Sequence, residues 1–294
     1  MHPAHRTLRR AAAAAATALL AAAVGCAPQP EEKASAAPSR SDAKSCVKGR
    51  LPTKTPGKLT VATDEPAYEP WFKGDEPANG KGFESAVAYA VAKQLGYDRS
   101  AVAWQSVPFN KAFAPGVKTF DFDINQVSIS AERRKAVDFS SGYYDVRQAV
   151  IALKGGKAAE ATSVADLRKL KLGAQVGTTS LDYITEVVKP EREAAVYAKN
   201  DQAKSALRNG QVDAVVTDLP TAFYITAAEV TNAEIVGQFE HQGGTPEQFG
   251  LVLDKGSALT PCVSGAVDAL RRNGTLAGLE KQWLSEAVDA PVLK

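Results

Sequence analysis

The 294 residues predict an α/β protein of two lobes, each a mainly parallel sheet flanked by helices, with a ligand cleft between them. Three observations carry this. Strand-like and helix-like periods alternate along most of the chain, which is the pattern of parallel sheets covered by helices. Two β-α-β-α-β runs, at 58–127 and 171–217, each hold enough strands for a sheet of their own. A chain of this length can form one domain but favours two lobes, and 45% hydrophobic with 23% charged residues is ordinary for a soluble globular protein.

The first run opens on "KLTVATD" (58–64), a strand. "GFESAVAYAVAKQLG" (82–96) sets Phe83, Ala86, Val87, Ala90, Val91 and Leu95 on one helical face, and Gly96 ends the helix at C′. "AVAWQS" (101–106) is a strand, a helix follows near 109–118, and "FDFDINQV" (120–127) is the third strand. Ser130 is placed to cap a short helix from Ala131. "VRQAVIALK" (146–154) starts the second lobe. Ser163 with Asp166 forms a capping box, "KLGAQV" (171–176) is a strand, and a helix runs from about Leu181 to Val188. "AAVYA" (194–198) is a strand, and "DQAKSALRNG" is a helix capped by Asp201 and stopped by Gly210. "VDAVVTD" (212–218) is a strand with the helix "LPTAFYITAAE" behind it. "EIVGQF" and "FGLVLDK" are late strands, and helices at 259–273 and 275–285 close the chain.

Ahead of this body lies an export signal. "MHPAHRTLRR" is a basic n-region and "AAAAAATALLAAAVG" a short apolar h-region, too brief to span a bilayer comfortably. It runs into Gly25-Cys26, which resembles a bacterial lipobox, where the cysteine carries lipid; ordinary cleavage with a free Cys26 is the alternative. Residues 26–57, rich in Ala, Pro, Ser and charge, read as a flexible tether. If Cys26 is lipidated, Cys46 and Cys262 remain as a pair in an oxidising compartment, where a disulfide is expected. Residues 1–25 carry three arginines and no acid, so the formal charge of +2 becomes −1 after cleavage. That balance argues against a nucleic-acid partner. With only three histidines, no zinc site or histidine-based triad is expected.

In sheets of this type a ligand lies beyond the carboxyl ends of the strands, here Asp64, Gln126 to Ser130, Gly177 to Ser180, and Asp218. Within "QVSISAERRKAVDFSSGYY", the hydroxyls of Ser128 and Ser130 just before Arg133 describe a place for a small carboxylate. Arg134 and Lys135 read as solvated, and Asp213 as structural.

The motifs "TDEPAYEPWF", "GFESAVAYAVAKQLG", "SISAERRKAVDFSSGYY", "GTTSLDY", "GQVDAVVTDLP" and "RNGTLAGLEKQWL" stand in order over residues 58–287. Together they resemble the polar amino-acid-binding proteins of ABC importers, solute-binding protein family 3, whose fold is the type 2 periplasmic-binding-protein fold. The resemblance implies lobe 1 at 58–147 and 246–294 and lobe 2 at 148–245, hinged near 145–150 and 241–247. It implies a zwitterion whose two charges must be paired when buried. Arg133 would grip the carboxylate with its planar fork, Ser128 would donate a hydroxyl to it, and Thr179 a hydroxyl and a backbone N–H. Asp218 would hold the ammonium from the other lobe. Tyr68 and Phe109 would face the ligand side chain, and Asp64 would either contact it or cap a turn. Gln126 departs from the family, standing where a small residue is common.

The function so implied is capture of an amino acid outside the cell and delivery to ABC permease subunits, by a monomer without cofactor anchored at the outer face of the cytoplasmic membrane. Two rivals use the same fold: an exported cyclohexadienyl or arogenate dehydratase, with Glu84, Asp64 or Glu65 as acid, and a ligand-sensing domain for a signalling partner.

Overall fold

The computed structural model describes residue 46 and residues 50–241, 246–284 and 290–294. The export signal, Cys26 and the tether up to residue 45 lie outside the described residues. The folded body starts earlier than the expected 58. Leu51 is buried in the first core, and the Lys54 backbone N–H donates to Asp121 Oδ1 at 2.7 Å.

The first lobe begins with β1 (Leu59–Thr63), α1 (Phe83–Gln94), β2 (Val102–Ser106), α2 (Phe109–Ala112), β3 (Phe122–Asp123) and β4 (Val137–Val146). The second holds β5 (Gln148–Leu153), α3 (Val164–Leu167), β6 (Leu172–Gln175), α4 (Thr179–Asp182), β7 (Ala195–Tyr197), α5 (Asn200–Arg208), β8 (Ala214–Asp218), α6 (Leu219–Tyr224) and β9 (Ala233–Gln238). The chain then returns through β10 (Glu247–Asp254), α7 (Thr260–Arg272) and α8 (Thr275–Trp283).

Two five-stranded sheets result, ordered β2-β1-β3-β10-β4 and β7-β6-β8-β5-β9. In each, the first strand of the β-α-β-α-β run lies between the other two and parallel to both, and an antiparallel strand from a chain crossing is added beside the third. Crossings fall between β4 and β5, between β9 and β10, and between residues 284 and 290. The last crossing corrects the expected lobe boundary. Residues 290–294 pack on the second lobe, where Val292 bridges Gln238 and Leu293 enters the core.

Helix α1 shows how sequence places these elements. Gly82 has φ +94°, and a Cβ there would lie 2.4 Å from the Trp71 carbonyl oxygen. Only glycine allows that approach, and the Glu84 N–H takes the same carbonyl at 2.9 Å. Phe83, Val87 and Val91 then turn into the sheet, and Gly96, at φ +84°, ends the helix. The first core centres on Trp71, in edge contact with Phe83, Tyr144 and Phe249 at 5.5–6.0 Å. Each such ring contributes roughly 1.5–3 kcal/mol by burial. In the second lobe, alternation along β5 sends Val150 to one core and Ile151 to the other. A disulfide joins Cys46 to Cys262 on α7, 216 residues apart, fastening the start of the body to the first lobe.

Several expected elements are shorter. The helix near 109–118 stops at Ala112, because Pro115 disfavours helix at Ala114 and Gly116 takes φ +113°. Only two residues of 120–127 pair as β3. Asp201 does not cap α5, which begins one residue earlier with Lys199 at the cap. The capping box of Ser163 and Asp166 forms as read.

Candidate functional site

Two of the strand ends are built to opposite plans. After β3 the chain runs beside β10, with Ser128 bridging Phe249 and the Ile129 N–H donating to the Gln248 carbonyl at 2.8 Å. The Ser130 hydroxyl accepts from the Arg133 N–H at 3.1 Å and starts a tight turn over Arg133–Lys135. Of those three cations only Arg133 turns inward and is buried; Arg134 and Lys135 are exposed. After β8, Asp218 occupies the cap position of α6 but makes no cap bond. Its carboxylate instead accepts from Gln148 Nε2 at 2.7 Å.

Arg133 and Asp218 line one small cavity between the lobes, with Ser128, Thr179, Tyr68, Phe109 and Gln126. Seven of the eight residues expected at the ligand site therefore meet there. The exception is Asp64, which lines a separate hollow with Trp104 and Gln105. Its Oδ1 accepts the Glu65 N–H at 2.7 Å.

Arg133 ties the lobes together. Nη1 donates to the Ser128 carbonyl at 2.7 Å, and Nη2 donates across the cleft to the Gly177 carbonyl at 2.9 Å. The guanidinium lies over the Phe113 ring at 4.4 Å, which supports a cation there. Burial lowers its pKa, while Asp182, Glu247 and Asp218 oppose that shift. Gly177, at φ +74°, also lets the lobes approach closely, since a Cβ there would fall 2.2 Å from Asn110 Oδ1 of α2. Trp71 adds another cross-lobe bond, from Nε1 to Thr221 Oγ1 at 2.9 Å.

Burial, reinforced by Glu247, pushes the Asp218 carboxyl up to about 8. A cation beside it would reverse that shift, because an opposite charge favours the ionised form. Thr179 opens α4, and Thr178 caps it through a bond from the Leu181 N–H at 3.2 Å.

Gln126 keeps a left-handed backbone at φ +50°, unusual outside glycine. The buried Glu84 holds it there, accepting the Gln126 N–H at 2.7 Å, its carboxamide N–H, and the Tyr143 hydroxyl. Burial pushes the Glu84 carboxyl up to about 7, against those bonds. Asp213 sits away from the cavity, accepting the Lys171 N–H at 2.8 Å and pairing with Lys157 at 3.2 Å.

Gln148, Glu247, Asn125, Gln175 and Asn200 were not anticipated from sequence. Asn125, Gln175 and Asn200 line the cavity, while Gln148 and Glu247 bond to residues that do. A single signal was available for Gln148: a carboxamide within the apolar run "VRQAVIALK".

The profile of bacterial extracellular solute-binding proteins, family 3, matches residues 59–286. The ABC transporter glutamine-binding protein of Bacillus subtilis (strain 168) is 30% identical over 216 residues, covering 71% of this chain and 76% of that one. An ancestral arginine-binding protein bound to glutamine superposes with a TM-score of 0.65 at 30% identity, covering 78% of this chain and 98% of its own. An ancestral amino acid-binding protein, a precursor of cyclohexadienyl dehydratase, reaches 0.63 at 28% identity, covering 78% and 95%. Its two-sheet fold is that of type 2 periplasmic binding proteins, and the chain belongs to the family 3 bacterial extracellular solute-binding proteins.

Proposed function

We propose that this protein captures an amino acid outside the cell in the cleft lined by Arg133 and Asp218 and hands it to the membrane subunits of an ABC permease. The observation that carries this is the meeting of one guanidinium and one carboxylate, from different lobes, at a single cavity. A buried zwitterion needs both signs of charge, and each charge-assisted hydrogen bond adds ~1.5–3 kcal/mol. Two or three such bonds, with the aromatic walls of Tyr68 and Phe109, supply much of the roughly 8 kcal/mol of micromolar binding.

Binding would bring Arg133 to the carboxylate and Asp218 to the ammonium. The lobes, already bridged here by Arg133 and Trp71, would open and close about the crossings between β4 and β5 and between β9 and β10 to admit and release the ligand. Anchoring through a lipidated Cys26 would keep the receptor beside its permease as a monomer on the outer face of the membrane. The dehydratase reading finds no free acid in Glu84, whose oxygens are taken by Gln126 and Tyr143. Isothermal titration of the exported protein against the common amino acids tests the proposal. Micromolar or tighter binding of at least one is expected, and no binding of any would overturn it.

A further inference from the structure

We propose that Glu247 selects the charge of the bound solute, drawing the hydroxyl protons of Ser128 and Thr179 away from it and favouring amino acids with a cationic side chain. This rests on the reading of the cleft as an amino-acid site.

The geometry is a directed chain of hydrogen bonds. Ser128 Oγ donates to Glu247 Oε1 at 2.6 Å. A serine hydroxyl has one proton, so the contact between Ser128 Oγ and Thr179 Oγ1 at 3.2 Å must be donated by Thr179. The proton of Thr179 is then committed too, and its oxygen accepts from Gln148 Nε2 at 3.3 Å. Gln148 cannot supply the reverse direction. Its Oε1 accepts from Ser180 Oγ at 2.6 Å, which points its amine toward Asp218, Thr179 and both Glu247 oxygens. Every proton in the relay runs toward carboxylate. Ser128 and Thr179, expected to donate to a ligand carboxylate, therefore present lone pairs.

The charge count leads the same way. Among the described residues, Arg133 is the cation lining the cavity. Lys204 is taken by Asp201 at 2.8 Å and Glu229 at 2.7 Å, and Lys199 donates to the Glu65 carbonyl. Against Arg133 stand Asp218 and Glu247, joined through one amide, with Asp182 beside the guanidinium. A zwitterion of no net charge satisfies Arg133 and Asp218 and leaves the negative charge of Glu247 and Asp182 in excess. A ligand with one more cation would offset part of that excess through the cavity wall, which Glu247 backs by way of Ser128 and Gln148.

The test is titration calorimetry with arginine, lysine, glutamine and serine on wild type, Glu247→Gln and Glu247→Asp, each first checked for an unchanged thermal midpoint. Wild type is expected to bind arginine or lysine more tightly than glutamine. Glu247→Gln should weaken the cationic ligands by about tenfold or more while glutamine holds or gains, and Glu247→Asp should recover part of the preference. In wild type alone, the arginine-to-glutamine affinity ratio should shrink between about 0.05 and 0.5 M salt. Equal losses for both ligand classes, a wild-type preference for neutral amino acids, or a ratio indifferent to both charge and salt would overturn the proposal. Should Glu247→Gln fail to fold, the salt series decides alone. If amino acids bind through Arg133 and the ratio does not move, only this inference falls; if none binds, the proposed function falls with it.

Discussion

The two lobes repeat one strand order, yet the turn after the third parallel strand ends in a cation in one and an anion in the other. β3 leads to Arg133 through nine intervening residues, part of that path pinned along β10, whereas β8 ends on Asp218 itself and enters α6 at once. The anion needs no more than a strand end and a helix with Pro220 in its first turn. The cation, with a long side chain to bury, needs a longer path and two backbone carbonyls to receive it. A repeated frame supplies position, and the loops supply the sign of charge.

Exchanging or deleting these groups breaks that comparison most sharply. Arg133→Ala should weaken amino-acid binding by about 100-fold or more, losing two charge-assisted bonds. Asp218→Asn should cost about 10- to 100-fold by the same titration, since an amide still accepts one hydrogen bond. Reducing the first lobe's staple, by Cys262→Ser, should lower unfolding stability by ~2–4 kcal/mol in denaturant titration with site affinity intact.

pH separates the two ends further. The raised Asp218 carboxyl, at about 8, is largely protonated at pH 6, so a ligand ammonium must expel the proton. Affinity should climb up to about tenfold per pH unit from 6 toward 8 and then level, with proton release visible in buffers of different ionisation enthalpy. Without ligand the sign reverses for stability. A carboxyl raised by folding stabilises below its unfolded pKa and loses that contribution as pH rises through its folded one. With Glu84 at about 7 and Asp218 at about 8, the thermal midpoint should fall between pH 5 and 9. The smallest effect is expected at Arg134→Ala, within about 0.5 kcal/mol in stability and without change in binding, since that neighbour is exposed.

Much of this was legible in the chain because it depends on neighbours in sequence. The α1 stripe, the stop at Gly96 and the Ser163 box are local arrangements, whereas the helix expected from Ala131 is only a short turn over Arg133–Lys135 with Glu132 at its cap position. So was the inward Arg133, since its hydroxyl neighbours and the family motif surround it. What stayed hidden depends on contacts made at long range. Gln148 matters because β5 pairs it with Asp218, 70 residues on. Glu247 matters because β10 returns beside Ser128, 119 residues earlier. Asp64 stands at a strand end like the others, but the fold sets it on a separate hollow with Trp104 and Gln105. The attachment of residues 290–294 to β9 has no signal in their own sequence, since Leu293 finds its place only in a core made by the other lobe.

That attachment bears on the proposed closure. Two lobes joined by strand crossings can twist as well as hinge; the clip of Val292 and Leu293 onto Gln238 of the second sheet would resist the twist and guide the motion. Arg133 and Asp218 would then face each other again at every cycle, as jaws on a guided press meet where they met before.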